Sequence, residues 1–187
     1  MYPGGLADAT CLKAPRSLSG ILEGVARPGH FDGVVTVVAR LFNLVGPDVA
    51  VFGEKDYQQL LVIQRLVEDM GYPLRIVPVA TVRSPRGLAM SSRNRYLDND
   101  RLGAAEQLHS QLSTAVRRLS EAPADWPAVE QETRRGLEQT GLRVDYVAIR
   151  RAEDLAEPDG KDPHVRVLAA VWCGPTRLID NLACRLQ

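Results

Sequence analysis

The sequence predicts an α/β chain in which an incomplete, doubly wound parallel sheet (residues 1–81) is followed by a small α+β C-terminal domain (residues 82–187). Three observations carry this. Between residues 31 and 82, stretches of helical period alternate with short, continuous apolar runs. After Val82 the chain turns polar, with Pro, Gly and paired Ser, where a domain boundary fits. Beyond residue 98, two helical stretches are followed by short strand-like runs, as in an antiparallel α+β unit.

The elements follow in order. In residues 31–45, Val34, Val38, Leu41, Phe42 and Val45 recur at helical steps, and Gly46-Pro47-Asp48 ends the helix. "VAVF" (49–52) has the unbroken apolarity of a strand buried on both faces. Leu60, Ile63, Leu66, Val67 and Met70 mark the next helix, with Asp56 near its N-cap and Gly71 as its C′ glycine. "LRIVPVATV" (74–82) is the second strand, and two strands are too few for a doubly wound sheet. Asp98 is placed to cap a helix carrying Leu108, Leu112, Val116 and Leu119, and Trp126-Pro127 opens another. "LRVDYVAIR", "HVRVLAAVW" and "TRLIDNL" complete the chain as strands. The opening "MYPGGL" reads as a turn that enters a domain from elsewhere.

Composition narrows the function. The 187 residues, 45% of them hydrophobic, suit a globular chain. Lys plus Arg and Asp plus Glu number 23 each, and basic residues form no stripe, so neither nucleic acid nor an acidic membrane is expected as a partner. Cys11, Cys173 and Cys184 are too scattered for a zinc site, which points to reduced thiols and a cytoplasmic location. Walker A, GxGxxG and nucleophile-elbow patterns are missing, and His109 and His164 have no partners at metal spacing.

Two stretches carry candidate chemistry. Gly53, Glu54, Lys55 and Asp56 stand between a strand and a helix, where free backbone N–H groups and the helix dipole favour an anion. Gly53 lets a ligand approach the backbone, Lys55 brings a positive charge for phosphate, and Asp56 suits a cap, a sugar hydroxyl or a metal. A solvated turn with Asp56 as a plain N-cap explains the same residues equally well. In "AMSSRNRYL", Ser91, Ser92 and Arg93 join two hydroxyls to a planar fork suited to polyphosphate, or form a polar, flexible loop before the next helix. Either Gln58 or Gln59, in the first turn after the quartet, could face a small carboxylate. His30 reads as a capping or interface group, and Glu23 with Arg27 as a surface or interface ion pair.

Taken in order, "MYPGG", "LEGVARPGHFDGVVTVVARLFNLVGPD", "FGEKDYQQLLVI", "VRSPRGLAMSSRNRYL", "VDYVAIR" and "TRLIDN" resemble the pantoate–β-alanine ligase (pantothenate synthetase) family from the first residue to the last. The resemblance implies a Rossmann-like domain with a smaller C-terminal lid, ATP as a substrate with Mg²⁺, a homodimer, and ligation of pantoate to β-alanine through pantoyl adenylate. It assigns ATP to Gly53, Glu54, Lys55, Asp56, Val82, Met90, Ser91, Ser92 and Arg93, with Lys55, Ser91, Ser92 and Arg93 in the catalytic step. Val82 is assigned an adenine-side backbone contact and Gln59 the contact to pantoate. The family's Met-x-x-x-His-x-Gly-His segment is not matched: "RPGH" has Arg27 where the first histidine belongs and corresponds to a downstream stretch.

That departure leaves readings of different classes open. The chain corresponds to the C-terminal two-thirds of such an enzyme, as part of a longer or split protein, or to a non-catalytic remnant that binds nucleotide or dimerises. Another nucleotidyl-transferring enzyme with the same half-site is a third. The expectation is that this chain alone makes no pantothenate and that its sheet edge needs a covering partner.

Overall fold

The computed structural model describes residues 2, 4–5, 8–121, 125–160 and 162–186, and only the backbone of Asn99. Met1, Pro3 and Leu6 of the "MYPGGL" turn lie outside the described residues; within it, Gly5 N donates to Tyr2 O at 3.1 Å. The chain divides into two compact units, Met1–Val79 and Ala80–Gln187.

The first unit opens with two single-turn helices that the periodicity does not predict, α1 (Arg16–Ser19) and α2 (Glu23–Ala26). Helix α3 (His30–Val45) follows, starting after Gly29 (φ 77°) and ending at Gly46 (φ 60°), both left-handed. Strand β1 (Val49–Gly53) runs into a 3₁₀ turn (Glu54–Asp56), helix α4 (Tyr57–Met70) and strand β2 (Arg75–Val79). Strands β1 and β2 pair in parallel, Val49 opposite Arg75 and Gly53 opposite Val79, so the strand–helix–strand order is as the sequence predicts.

Two expectations for this unit are corrected. β1 is not buried on both faces: Val49 and Val51 are 43% and 62% exposed, while Phe52 lies edge-on to Phe42 at 6.5 Å. An unbroken apolar run records the tolerance of both faces for apolar residues and leaves open how many are covered. The second strand stops at Val79 rather than Val82, because Val82 bonds instead to the loop that follows.

The second unit contains a 3₁₀ turn (Ser92–Tyr96), helices α5 (Asn99–Glu121) and α6 (Trp126–Gln139), and strands β3 (Arg143–Arg151), β4 (His164–Cys173) and β5 (Thr176–Arg185). The strands form an antiparallel sheet in the order β3-β4-β5, and the last two are longer than the short runs predicted. Asp98 caps α5 as expected, its Oδ1 accepting from Arg101 N at 2.9 Å. Leu108, Leu112 and Leu119 of α5 and Val129 and Leu137 of α6 pack with Val165, Val167, Ala169 and Val171 of β4 into one core. β4 is the middle strand and is buried from Val165 to Val171. All three cysteines are free; Cys11 is exposed and the other two are buried.

Candidate functional site

In the first unit, the apolar run of β1 ends at Gly53, whose extended backbone (φ −75°, ψ 136°) leads into the 3₁₀ turn. That turn places Glu54, Lys55 and Asp56 between the carboxyl end of β1 and the start of α4. The Lys55 side chain is only 17% exposed, with Nζ 3.6 Å from Asp56 Oδ1. Asp56 occupies the N-cap position, but its side chain accepts no bond from the helix, so the simple cap reading fails and the pairing with Lys55 replaces it. The first-turn N–H groups of α4 thus lack a side-chain cap from Asp56.

The two glutamines that follow separate cleanly. Gln58 is 3% exposed and holds the opening of the unit: Nε2 donates to Leu18 O (2.5 Å) and Ile21 O (2.9 Å), and Oε1 accepts from Glu23 N (3.0 Å). Both amide protons and Oε1 are engaged by backbone, and the side chain is buried, which turns it away from solvent and from a ligand role. Gln59, by contrast, is half-buried. The loop that Gln58 secures has little slack, since Leu22 takes φ 46° and ψ −114° and a Cβ on Gly24 would collide with Ser19 O. Glu23 is buried at 7% exposure and is no surface residue, while Arg27 Nη1 sits 2.9 Å from His30 Nε2.

The second stretch lies in the other unit and is less flexible than its composition suggests. Residues 82–90 fold back on themselves: Met90 N donates to Val82 O (2.8 Å), Ser84 N to Leu88 O (2.9 Å), and Arg83 bridges Ala89. Val82 and Met90 are thereby brought side by side, 68% and 54% exposed, with Leu88 and Ala89 turned into the core. Ser91, Ser92 and Arg93 follow at the mouth of the 3₁₀ turn, where Ser91 Oγ accepts from Arg93 N at 3.3 Å. Ser92 and Arg93 are exposed, and Asn94 ties the turn back through Nδ2 to Ala89 O at 3.0 Å. Each unit thus gathers its own set of predicted residues, Gly53–Gln59 in one and Val82 with Met90–Arg93 in the other.

Sequence reasoning passed over the residues that hold the second set. Arg83 forks onto Asp180, Nη1 to Oδ2 at 2.6 Å and Nη2 to Oδ1 at 2.9 Å, and also donates to Gly87 O at 3.0 Å. The partners are 97 residues apart in the chain, and nothing in a single sequence couples them. His109 occupies the space over Gly87 (φ +90°), where a Cβ would run into its Nδ1; burial, and then Arg83, push the imidazole pKa down. Among the described residues, no three His, Cys, Asp or Glu side chains cluster as a metal site, and no helix is long and apolar enough to cross a membrane.

A parallel strand whose carboxyl end opens into a lysine-bearing helix start belongs to the α/β class that places anionic ligands there. Comparison with known proteins gives the particular family. The family model described as pantoate-beta-alanine ligase matches residues 1–183. Pantothenate synthetase of Nitrosococcus oceani is 49% identical over 187 residues, covering all of this chain and 65% of the relative. That of Thioalkalivibrio sulfidiphilus is 48% identical over 182 residues, covering 97% of this chain and 63% of the relative. The crystal structure of pantothenate synthetase from Thermus thermophilus superposes with a TM-score of 0.89 at 42% identity, over 97% of this chain and 65% of that one. Pantoate-beta-alanine ligase from Francisella tularensis, in complex with beta-gamma ATP and beta-alanine, gives 0.73 at 29% identity, over 97% and 60%. This chain belongs to the pantoate–β-alanine ligase family, and it spans about two-thirds of the length of the curated relatives it matches.

Proposed function

We propose that this chain supplies the ATP- and pantoate-facing part of a pantoate–β-alanine ligase. The observation that carries the reading is the partly buried Lys55 at the β1–α4 turn, within a family match that runs unbroken through residues 1–183. In the proposed reaction a pantoate carboxylate oxygen attacks the α-phosphorus of ATP, the bond to the β-phosphate bridge breaks, and pyrophosphate leaves. The amine of β-alanine then attacks the acyl carbon of pantoyl adenylate, the acyl–O bond breaks, AMP departs, and the ammonium proton is released. The substrate supplies the nucleophile, so the protein's work is orientation and charge stabilisation.

Lys55 and Arg93 are assigned the negative charge that develops on the transferred and leaving phosphates, and Ser91 and Ser92 donate to phosphate oxygens. Gly53, Glu54 and Asp56 line the first ATP stretch; Val82 offers its backbone to the adenine side, Met90 lies beside it, and Gln59 bonds pantoate. Mg²⁺ usually keeps several waters and takes phosphate oxygens with one or two carboxylates, and Glu54 and Asp56 are this turn's carboxylates for such an ion. The ion would offset phosphate charge when bound. The two units serve as a Rossmann-like domain and a lid, in a homodimer in the cytoplasm. Because the chain spans 60–65% of its relatives, turnover is assigned to the longer protein and not to this chain alone.

Titration of this chain with ATP tests the reading. The expected result is saturable binding that weakens about tenfold or more in Lys55→Ala, roughly 1.4 kcal/mol. Absence of binding, or equal affinity in the variant, overturns the ligase reading and favours a non-catalytic module. Pantothenate formation by the purified chain, abolished in Lys55→Ala, would overturn the assignment of turnover to the longer protein.

A further inference from the structure

The residues that hold the second nucleotide stretch are not themselves part of it. Residues 83–90 form an excursion containing Pro85 and Gly87, a composition that by itself fixes no single conformation. Beyond its own backbone bonds and the burial of Leu88 and Ala89, one charged fork ties it to the strands. Arg83, with its side chain 18% exposed, closes onto Asp180, whose carboxylate is 2% exposed. Both carboxylate oxygens are engaged, and Oδ1 also accepts from Asn181 N at 2.8 Å. Arg83 reaches the tip of the excursion through Gly87 O and the strand through Asn181 O (3.4 Å). Asn181 Oδ1 in turn accepts from Arg166 Nη1 at 2.8 Å, which anchors the fork across β5 to β4. The His109 ring lies against Gly87, where an added Cβ would meet its Nδ1. From Ala89 the constraint passes directly to the nucleotide stretch: Met90 N is bonded to Val82 O, and Asn94 Nδ2 to Ala89 O.

We propose that Asp180 is a positioning residue, which through Arg83 sets where Ser91, Ser92 and Arg93, following Met90, present their phosphate donors. This rests on the nucleotide-binding role proposed for that stretch. An arginine held by two parallel bonds to a buried carboxylate is fixed in direction as well as distance, and a lysine or a neutral amide cannot reproduce both bonds. The strand end of the pin is rigid because β4 and β5 are paired along their full length, from His164 with Arg185 to Cys173 with Thr176.

The experiment compares the full chain with Asp180→Asn, Arg83→Lys and, as a control on the same sheet, Arg177→Ala, which removes the ion pair to Asp145. Hydrogen exchange of the amides at residues 84–94 is expected to accelerate about tenfold or more in the first two and to stay unchanged in the control, with the β4–β5 amides protected throughout. ATP affinity is expected to fall about tenfold in the first two variants, and less than additively when either is combined with Ser92→Ala. Unchanged exchange at 84–94 in a folded Asp180→Asn or Arg83→Lys chain overturns the pin, whether or not ATP binds. Accelerated exchange with unchanged ATP affinity overturns its link to the nucleotide. If the unsubstituted chain binds no ATP, the nucleotide role falls while exchange still decides the pin. Should Asp180→Asn fail to fold, Arg83→Lys, which keeps the charge, carries the same expectations.

Discussion

Gln58 and Gln59 are adjacent, chemically identical and assigned to different work by a rotation of one helical step. The amide of Gln58 points into the first unit and closes three backbone bonds, so losing it leaves two carbonyls and one N–H unsatisfied in a buried place. Gln58→Ala is expected to cost about 2–4 kcal/mol in urea unfolding of the first unit, against roughly 0.5 kcal/mol or less for Gln59→Ala. Gly24→Ala tests the same corner by a different route: the added Cβ runs into the backbone carbonyl of Ser19, which cannot yield as a side chain could, and a loss of about 3 kcal/mol is expected. His109 gives the pH counterpart. Its folded pKa is depressed by burial and by Arg83, with Asp180 opposing, so the unfolded chain binds the proton more readily. Stability should therefore be full above about pH 6.5 and fall as the pH drops below it, and His109→Gln should flatten that slope. In the sequence Lys55 was legible as a positive charge at a strand-to-helix turn and the pair Gln58/Gln59 as polar. Which glutamine faces inward was not, because it depends on a loop some 35 residues earlier that has no periodicity of its own.

At the level of elements, periodicity located the helices and most of their buried faces, although Leu41, Val45 and Met70 of the marked positions are exposed. Helix α5 shows it best, with Leu108, Leu112 and Leu119 all at 2% exposure or less. Leu112→Ala should destabilise the second unit by about 2–5 kcal/mol, read from thermal or denaturant unfolding. Strand β1 shows the opposite case: its apolar letters do not say that Val49 and Val51 face outward. The outer edge of β3 is another feature that pattern alone misses. Glu130 of α6 accepts from Ile149 N at 2.6 Å, and Arg134 donates to Val144 O and Asp145 O, so helix side chains occupy strand groups that would otherwise be free to pair. Short pieces such as α1, α2 and the two 3₁₀ turns are too brief to carry a period, and they were invisible for that reason.

For the molecule as a whole, the second unit has its own core, drawn from residues 88–184 and built from α5, α6 and the three-stranded sheet. A fragment of residues 80–187 is therefore expected to unfold in a single cooperative transition by circular dichroism; a non-cooperative melt would show that this core does not sustain the unit alone. The order of elements and the change of grammar near residue 80 were readable because each is a local property of the chain. The Arg83–Asp180 fork was not, since its partners are 97 residues apart. That separation bears on the order of folding. The fork cannot close until the chain has passed through two helices and brought β4 and β5 together, and closing so long a loop is entropically costly until those contacts exist. Ser91 and Ser92 lie on the near side of that loop, so a nascent or partly refolded chain would carry them well before the fork that braces their turn could close.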